Sequence, residues 1–395
     1  MEVPPKGSLA PNMASWIREY TPGPFSEDDL KQLYIQGFVV KRNLLKEPDY
    51  DPAIAAVKDL VDEISHDLQK GGKISNLCES EPFETRLIEI EKQFPNASVL
   101  LHKKGVLPKG IQNLWACETL MACAKQVLGP DLSGHAVWNL RTKTPQNEQT
   151  VVPWHQDTAY LEGACVDTMH LTAWVPLVDA TRENGCMEVV RYGHRAGKEV
   201  KHECCTGDSW YVRIVDGQLE TIGAADPDDV ILCDVKKGDV LFLNNVVPHR
   251  SLSNVSKGIR WSLDLRWMKT GGIDGFYNLK EPIVMAKGDD PSFKPDWDSW
   301  AGVERHEIQL KKALEISGVE EAIKTALTDG VPEEKQAEVT NDSNAFDTVI
   351  AGPWMGRWEI VHHNKHTTRF KENQAKGTGS DWHSHDKGLK GGAFG

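Results

Sequence analysis

Two kinds of hydrophobic periodicity divide the chain. Between about residues 26 and 130, apolar side chains recur every three or four positions, as on one face of an amphipathic helix. From about residue 131 to 280 they occur in short alternating or continuous runs that are separated by turns rich in glycine and aspartate. The pattern therefore predicts a helical scaffold followed by a core of many short strands.

Three helices are predicted in the scaffold. The first has Ser26 as its N-cap and an acidic residue, Asp29, three positions later. The second is predicted to begin with Asp51 as the cap and Pro52 at the first helical position. The third is predicted over residues 112–127. These helices contain no cluster of catalytic residue types, and we expect them to pack on one face of a sheet.

The strand candidates are short and numerous. Such strands, separated by turns, indicate a mainly β protein with flanking helices and a jelly-roll or cupin-like barrel. A less periodic stretch, residues 193–230, interrupts them and is predicted to be an insertion or loop over the barrel mouth. The clearest strand candidates are residues 137–141, 171–177, 187–190, 230–232, 240–243 and 259–268.

One pair of residues in this region suggests metal chemistry. His155 and Asp157 are two positions apart, so on an extended strand their side chains point to the same face. His249 is the best candidate for a third ligand. Two histidines and one carboxylate form the facial triad of non-haem Fe(II) oxygenases, which leaves coordination positions open for a cosubstrate and O₂.

A basic residue follows the third candidate ligand. Arg260 comes eleven positions after His249, within an alternating strand pattern. A guanidinium at this place, with the hydroxyl of Ser251 or Ser262, is suited to bind the distal carboxylate of 2-oxoglutarate. The alternative for Arg260 is an ordinary surface ion pair.

Several segments occur in the order seen in one enzyme family. With these segments the chain resembles the phytanoyl-CoA dioxygenase family over about residues 25–280. One corner departs from that family's usual Pro-Gly-Ser-His sequence and reads Arg-Tyr-Gly-His at residues 191–194. The segments are Trp154-His155-Gln156-Asp157, residues 184–190, Gly193-His194-Arg195, residues 237–242, Pro248-His249-Arg250-Ser251 and Arg260.

The resemblance implies a double-stranded β-helix that holds Fe(II) and uses 2-oxoglutarate and O₂, with ascorbate left open as a further cofactor. The implied reaction is hydroxylation of a small organic substrate with release of succinate and CO₂. The carboxylate of Asp157 favours hydroxylation, because related halogenases have a small residue at this position. Two alternatives are a non-catalytic cupin-like module that binds metal or ligand, and a zinc hydrolase in which Arg260 has no role.

Further residues are candidates for the pocket. Asn139 and Trp174 are assigned to the cofactor side, because they lie on the predicted strands before and after the metal pair. Thr158, Tyr160 and Lys143 are assigned to the substrate side. For each of these five residues, a place in the core or on the rim is an equally good interpretation.

Composition limits the partners and the compartment. The 395 residues are 39% hydrophobic and 26% charged, which is ordinary for a soluble protein. A net charge of −13 argues against non-specific binding to nucleic acid. The sequence contains no apolar run of 18 residues, so no membrane span is predicted. Eight cysteines without a Cys-x-x-Cys pair indicate reduced thiols, and with no signal-peptide pattern we expect a cytoplasmic protein. The oligomeric state is not indicated.

The chain outside the core is predicted to have three parts. Residues 1–24 form a flexible arm rich in proline, residues 281–345 a helical extension and linker, and residues 346–395 a tail rich in tryptophan and histidine. Trp354 and Trp358 are four positions apart and would share a helical face that docks on the barrel. The tail's five histidines are interpreted as solvated rather than as a second metal site.

Overall fold

The computed structural model describes residues 3–103, 106–301 and 346–375. The helices of these residues are α1 (Pro11–Ala14), α2 (Glu27–Gln36), α3 (Glu47–Lys70), α4 (Arg86–Gln93), α5 (Ala97–Lys103), α6 (Lys109–Trp115), α7 (Glu118–Leu128), α8 (Trp297–Ala301) and α9 (Lys365–Ala375). The strands are β1 (Phe38–Lys41), β2 (Leu132–Gly134), β3 (Asn139–Lys143), β4 (His170–Pro176), β5 (Met187–Val190), β6 (His202–Cys204), β7 (Val212–Ile214), β8 (Val230–Cys233), β9 (Val240–Asn244), β10 (His249–Ser251), β11 (Arg260–Lys269), β12 (Ile283–Ala286) and β13 (Glu359–Ile360).

Local sequence sets the start of α2, as predicted. The Asp29 side chain accepts the backbone N–H of Ser26 (2.8 Å), and the Ser26 hydroxyl accepts the N–H of Asp29 (3.2 Å). Gly37 ends the helix at φ 92°, a left-handed conformation that glycine adopts without a steric cost. The next residue begins β1.

The predicted start of the second helix is wrong by five residues. Helix α3 begins at Glu47 with Lys46 as the N-cap, and Pro52 lies inside the helix. Asp49 accepts the N–H of Lys46 (2.8 Å), and Pro48 stands near the helix start. The same acidic and proline signals therefore occur twice, and the earlier set starts the helix.

The third predicted helix is two helices. Between α6 and α7, Cys117 has an extended conformation (φ −63°, ψ 148°) and caps the second helix. The apolar pattern continues through the break because both helices bury side chains in the same core. Hydrophobic periodicity alone cannot show such a break.

A seven-stranded sheet forms the main layer. Its order is β1-β9-β4-β11-β2-β12, and β3 also pairs with β11. The neighbours in this sheet are antiparallel. The helical scaffold covers one face, where the side chains of Trp115, Trp261, Leu265 and Trp267 are fully buried.

A second, three-stranded sheet of order β10-β5-β8 packs on the other face of the main sheet. The core between the two sheets includes Trp174, Leu241 and Leu243 from the main sheet and Met187 and Val189 from the smaller one. Two facing antiparallel sheets with helices outside them confirm the predicted mainly β fold with a double-stranded β-helix core. The six strand predictions are confirmed with boundaries shifted by at most two residues.

A third sheet joins the predicted loop region to the tail. Strands β6 and β7 lie within residues 193–230 and pair with each other, and β13 of the tail pairs with β6. The Trp354 indole donates to Trp210 O (3.3 Å), and the Trp358 indole donates to Ala159 O (2.8 Å). The tail thus docks on the barrel as predicted, but Trp354 lies in a 3₁₀ helix (Pro353–Gly356) and Trp358 follows it, so no helical face is shared.

The proline-rich N-terminal segment is held by individual contacts instead of lying loosely. Ala10 N donates to Arg195 O (2.9 Å), the Asn12 amide donates to Gly197 O (2.8 Å), and Met13 is buried. These bonds leave no periodic pattern in the sequence, which is why the segment resembles a flexible arm. The helices predicted within residues 302–345, and two of the tail's histidines, His383 and His385, lie outside the described residues.

Other expectations concern the cysteines and the membrane. Six cysteines are free, but Cys204 and Cys205 are joined by a disulfide, so the expectation of reduced thiols is wrong for these two. Within the described ranges, none of the helices has the length and apolar character needed to span a bilayer.

Candidate metal centre and adjoining cavities

Strand alternation places a row of polar side chains inside the barrel. Arg260, Ser262, Asp264 and Arg266 alternate along β11, while the large apolar side chains between them pack against the helices. The neighbouring strand β3 contributes a second row, in which Lys143 is paired with Arg260, Arg141 with Ser262, and Asn139 with Asp264. The inner face of these two strands is therefore strongly charged.

The three predicted ligands converge at one end of this face. His155 Nε2 lies 3.5 Å from Asp157 Oδ1, and His249 Nε2 lies 3.7 Å from the same oxygen. One ligand atom from each residue lies within 4.8 Å of the other two, and all three side chains are buried. Among the described residues, this is the group of histidine, cysteine and acidic side chains that has the geometry to hold a metal ion.

The backbone reaches this geometry differently from the prediction. His155 is not in a regular strand but forms a single antiparallel bridge with His249, with reciprocal N–H to carbonyl bonds of 3.0 Å. Asp157 then begins a 3₁₀ helix (Asp157–Tyr160). The bridge holds the two histidine rings 4.2 Å apart, and the turn directs the carboxylate toward them.

Backbone carbonyls orient both imidazoles. His155 Nδ1 is 2.8 Å from Pro153 O, and His249 Nδ1 is 3.0 Å from Val247 O. Because only an N–H can donate to a carbonyl, Nδ1 of each ring carries a hydrogen, and Nε2 is the nitrogen directed toward Asp157. Burial is the main cause that lowers the pKa of His249 to about 4, so this ring is neutral at neutral pH.

The second oxygen of Asp157 is held by other side chains. Arg266 Nη2 and Nε donate to Asp157 Oδ2 at 3.0 and 3.3 Å, and the Thr172 hydroxyl donates at 3.4 Å. Burial by itself would raise the pKa of Asp157, but the Arg266 charge and the contacts with His155 and His249 hold that pKa well below its usual range. Asp157 is therefore ionised, and one of its oxygens is free to bind a metal ion.

Arg260 is buried without a carboxylate partner. Its side chain donates from Nη1 to Ser262 Oγ (2.6 Å), and its Nε is buried without any partner. No carboxylate in the described part of the chain forms an ion pair with it, and the Trp174 ring lies 5.0 Å from its guanidinium carbon. Burial lowers the pKa of Arg260 to about 10, and it remains a cation at neutral pH. Because a buried, unpaired charge is costly, the site fits a bound carboxylate.

Two cavities meet at the metal centre. The first has many charged and polar side chains in its lining and includes Arg260, Lys143, Ser251, Trp174, His155 and His249. The second is lined mainly by aromatic and apolar side chains, including Tyr160, Leu161, Phe276, Ile350 and Trp354. Asp157, Arg141, Arg266, Trp210, Tyr211 and His102 line both.

The remaining predicted site residues have varied positions. Ser251 Oγ accepts Val152 N–H (3.1 Å), and Lys143 donates to Thr150 O (2.8 Å). Tyr160 lies in the second cavity, with its ring 5.6 Å from that of His155. Ser262 supports Arg260 but does not line either cavity. Thr158 also lines neither cavity, and its backbone N–H donates to Asn245 O (3.2 Å).

Asn139 belongs to the second cavity rather than to the side of Arg260. Its side-chain nitrogen lies 3.4 Å from Asp264 Oδ2, and with the amide turned over its oxygen accepts from Arg266 Nη1 (3.3 Å) while its nitrogen donates to Trp138 O (3.2 Å). It lies four residues before Lys143 on β3, so it is displaced along the strand from the cofactor side.

Sequence reasoning missed several important residues. Arg266 and Arg141 were detectable, because each has the same strand parity as an assigned residue, Arg260 or Asn139. Tyr211 and Trp354 had no local signal, because they reach the site from segments far away in the sequence. The tail histidine His366 is buried and accepts the N–H of Ile350 (2.9 Å), so the interpretation of the tail histidines as solvated is wrong for this residue.

Comparison with known proteins gives one family match and several similar proteins. The family model described as phytanoyl-CoA dioxygenase (PhyH) matches residues 35–262. The 1-deoxypentalenic acid 11-beta-hydroxylase of Streptomyces arenae is 30% identical over 132 residues, which is 33% of this chain. The match spans 45% of the hydroxylase's length.

Solved structures that are similar to this chain include a non-heme monooxygenase and EctD. The non-heme monooxygenase ThoJ in its apo form has a TM-score of 0.47 at 16% identity, over 72% of this chain and 98% of its own. EctD from S. alaskensis, with 2-oxoglutarate and 5-hydroxyectoine, has a TM-score of 0.45 at 18% identity, over 69% of this chain and 84% of its own.

Proposed function

Because the chain belongs to the phytanoyl-CoA dioxygenase family, we propose that it is an Fe(II)- and 2-oxoglutarate-dependent oxygenase that hydroxylates a small organic molecule. The observation that supports this most directly is the position of Arg260. A buried guanidinium without a carboxylate partner lies in the same cavity as a buried group of two histidines and one aspartate. A metal ion explains the second feature, and an anionic cosubstrate explains the first.

The donor set suits iron. His155, Asp157 and His249 offer two neutral nitrogens and one anionic oxygen from one side, which is the arrangement of non-haem Fe(II) oxygenases. When bound, iron and 2-oxoglutarate supply the oxidation: one atom of O₂ enters succinate as CO₂ leaves, and the other enters a C–H bond of the substrate. Ascorbate has the role of keeping the iron reduced, and a cytoplasmic location suits such a site.

Arg260 recognises the cosubstrate in this proposal. Ser262 holds one end of the guanidinium at 2.6 Å, and the Trp174 ring covers its face. The unpartnered Nε and the remaining N–H groups are then available to a carboxylate. Because Lys143 is buried beside Arg260 on the paired strand, it adds a further donor at this end of the cavity.

The second cavity is the place for the substrate. Its aromatic and apolar walls exclude water from the side of the metal centre on which Tyr160 packs. The hydroxylase relative, which acts on a small carboxylic acid by its name, supports hydroxylation as the outcome. The chain's own contribution is to place a substrate C–H bond next to Asp157 and Arg266, at the boundary between the cavities.

Succinate formation tests the proposal. The full chain, loaded with Fe(II) under anaerobic conditions, is given 2-oxoglutarate and a metabolite extract, and succinate is measured after air is admitted. We expect succinate from the wild type, none from His155→Ala, and a requirement for at least about tenfold more 2-oxoglutarate in Arg260→Ala. The matched control is Arg42→Ala, which removes a largely exposed arginine paired with Asp239 and should leave the requirement unchanged.

The outcome that overturns the proposal is iron binding without succinate from any extract, including the slow background reaction without substrate. That result would favour a barrel that binds metal and ligand without turnover. Equal 2-oxoglutarate requirements in Arg260→Ala and the wild type would remove Arg260 from the cosubstrate site.

A further inference from the structure

Hydrogen-bond donors collect on one wall of the second cavity. Arg141 donates from Nε to Asp264 Oδ2 (2.8 Å) and from Nη1 to the Tyr211 hydroxyl oxygen (3.3 Å). Its Nη2 has no acceptor in the described part of the chain, although the residue lines both cavities. The Arg141 guanidinium therefore has N–H groups at this wall that can donate to a ligand.

Two tyrosines add donors at the same wall. The Tyr211 hydroxyl accepts from Arg141, and the Tyr160 hydroxyl accepts the N–H of Val212 (3.2 Å). Neither hydroxyl donates its own hydrogen to any residue that the structure describes. Burial raises the pKa of both tyrosines, so they remain protonated and able to donate at neutral pH.

The same cavity offers no carboxylate to these donors. Among its described lining residues the only carboxylate is Asp157, whose Oδ1 faces the two histidines and whose Oδ2 is held by Arg266. Asp264, which accepts from Arg141, also lies 3.7 Å from Arg266 and is thus shared between two guanidiniums. Asp157 and Asp264 are therefore balanced by the two guanidiniums of Arg141 and Arg266. These carboxylates leave no negative charge for further donors.

We propose, on the basis of the proposed function, that the substrate is an apolar organic acid whose carboxylate binds Arg141 with the hydroxyls of Tyr211 and Tyr160. The apolar side chains of the same cavity, among them Leu161, Phe276, Ile350 and Trp354, bind the apolar body. The combined positive charge of Fe(II) and Arg260 is larger than the negative charge of a dianionic cosubstrate. This excess further favours an anion in the neighbouring cavity. Arg141 is then a substrate-binding residue that is separate from the cosubstrate residue Arg260.

Binding without turnover tests this inference. The full chain is titrated anaerobically, with and without Fe(II) and 2-oxoglutarate, by isothermal calorimetry with three probes of matched shape. The probes are 1-adamantanecarboxylic acid, its methyl ester and 1-adamantanemethanol. We expect the acid to bind the wild type roughly ten- to a hundredfold more tightly than the ester, as hydrogen bonds to a charged group imply.

Variants separate the two arginines. The preference for the acid should be lost in Arg141→Gln, reduced in Tyr211→Phe and retained in Arg260→Gln, the matched change in the other cavity. Tyr211→Phe removes only a hydroxyl, so it keeps the test valid if Arg141→Gln does not fold. The inference is overturned if the wild type binds the acid and the ester equally, or does not bind the acid. It is also overturned if Arg141→Gln keeps the preference for the acid. If Arg141→Gln does not fold, a full preference in Tyr211→Phe overturns it.

The test distinguishes this inference from the proposed function. The titration without iron measures binding and needs no reaction. If the protein prefers the acid but forms no succinate, only the oxygenase proposal is overturned. Succinate formation without an acid preference overturns the substrate class alone.

Discussion

Arg266 Nη2 lies 3.0 Å from Asp157 Oδ2, while the other oxygen of the same carboxylate faces His155 and His249. The two residues are 109 positions apart in the sequence. The ion pair fixes the rotation of the carboxylate, so that one oxygen is directed to the metal centre. Outer residues of this kind commonly change metal affinity when they are replaced.

We expect Arg266→Gln to weaken metal binding by roughly 10- to 100-fold, because Asp157 would lose its charged partner. Titration with Co(II), followed by its visible absorption, measures the affinity directly. Arg42→Gln is the matched control, since it also removes an arginine paired with an aspartate, Asp239, but far from the site. Unchanged affinity in Arg266→Gln would show that Thr172 alone is enough to orient the carboxylate.

The tail contributes Trp354 to the wall of the second cavity, which is the proposed substrate site. Its ring packs edge-on against Tyr160 at 6.0 Å, and its indole donates to Trp210 O. Trp354→Ala should enlarge the cavity, so that a bulky acid such as abietic acid binds several-fold more tightly than to the wild type, as measured by calorimetry. Trp297→Ala, which changes a similarly half-buried tryptophan away from both cavities, should keep the wild-type preference. The same affinity in both variants would contradict a wall formed by Trp354.

The outer face of β11 supports the fold. Trp267 is fully buried, with its ring 6.4 Å from that of Trp115. Trp267→Ala should lower the free energy of unfolding by about 3–5 kcal/mol, because it removes a large side chain and leaves a cavity. Urea unfolding with linear extrapolation checks this value, and Tyr20→Ala, at a side chain 46% exposed, should change stability by less than about 0.5 kcal/mol. A loss below 1 kcal/mol at Trp267 would mean that the surrounding core closes over the gap.

A buried histidine makes stability depend on pH. His194 contacts Tyr34 O through Nε2 (2.8 Å), and burial lowers its pKa to about 4. In the unfolded chain a histidine has a pKa of about 6.5, so between these values only the unfolded state takes up the proton. The contribution of neutral His194 to the free energy of unfolding is therefore present above about pH 6.5 and is lost as the pH falls toward 4. At pH 5.5 the free energy of unfolding is lower by about 1 kcal/mol.

Urea unfolding at pH 7 and pH 5.5 checks this sign. We expect His194→Asn to be less stable than the wild type at pH 7, but to lose less stability between the two pH values. An equal loss in variant and wild type would show that His194 does not contribute to the pH dependence.

The sequence by itself predicted most elements of the core and the residues of the candidate metal centre. Hydrophobic periodicity and strand parity are local properties, so β4, β5, β9 and β11 were predicted within one or two residues. The cap at Ser26 and the glycine at residue 37 depend only on neighbouring atoms, and both were recognised. His155, Asp157, His249 and Arg260 were found because each belongs to a short segment with a characteristic spacing.

Only the tertiary structure decided what surrounds those ligands. The pairing of Arg266 with Asp157, the shared carboxylate of Asp264 and the unpartnered N–H groups of Arg141 depend on the register between β3, β11 and the turn at Asp157. The aromatic wall comes from Tyr211 and from Trp354, which the tail brings back across the barrel. Such contacts have no local signal, because a side chain's partners are set by the packing of distant segments and not by its sequence neighbours.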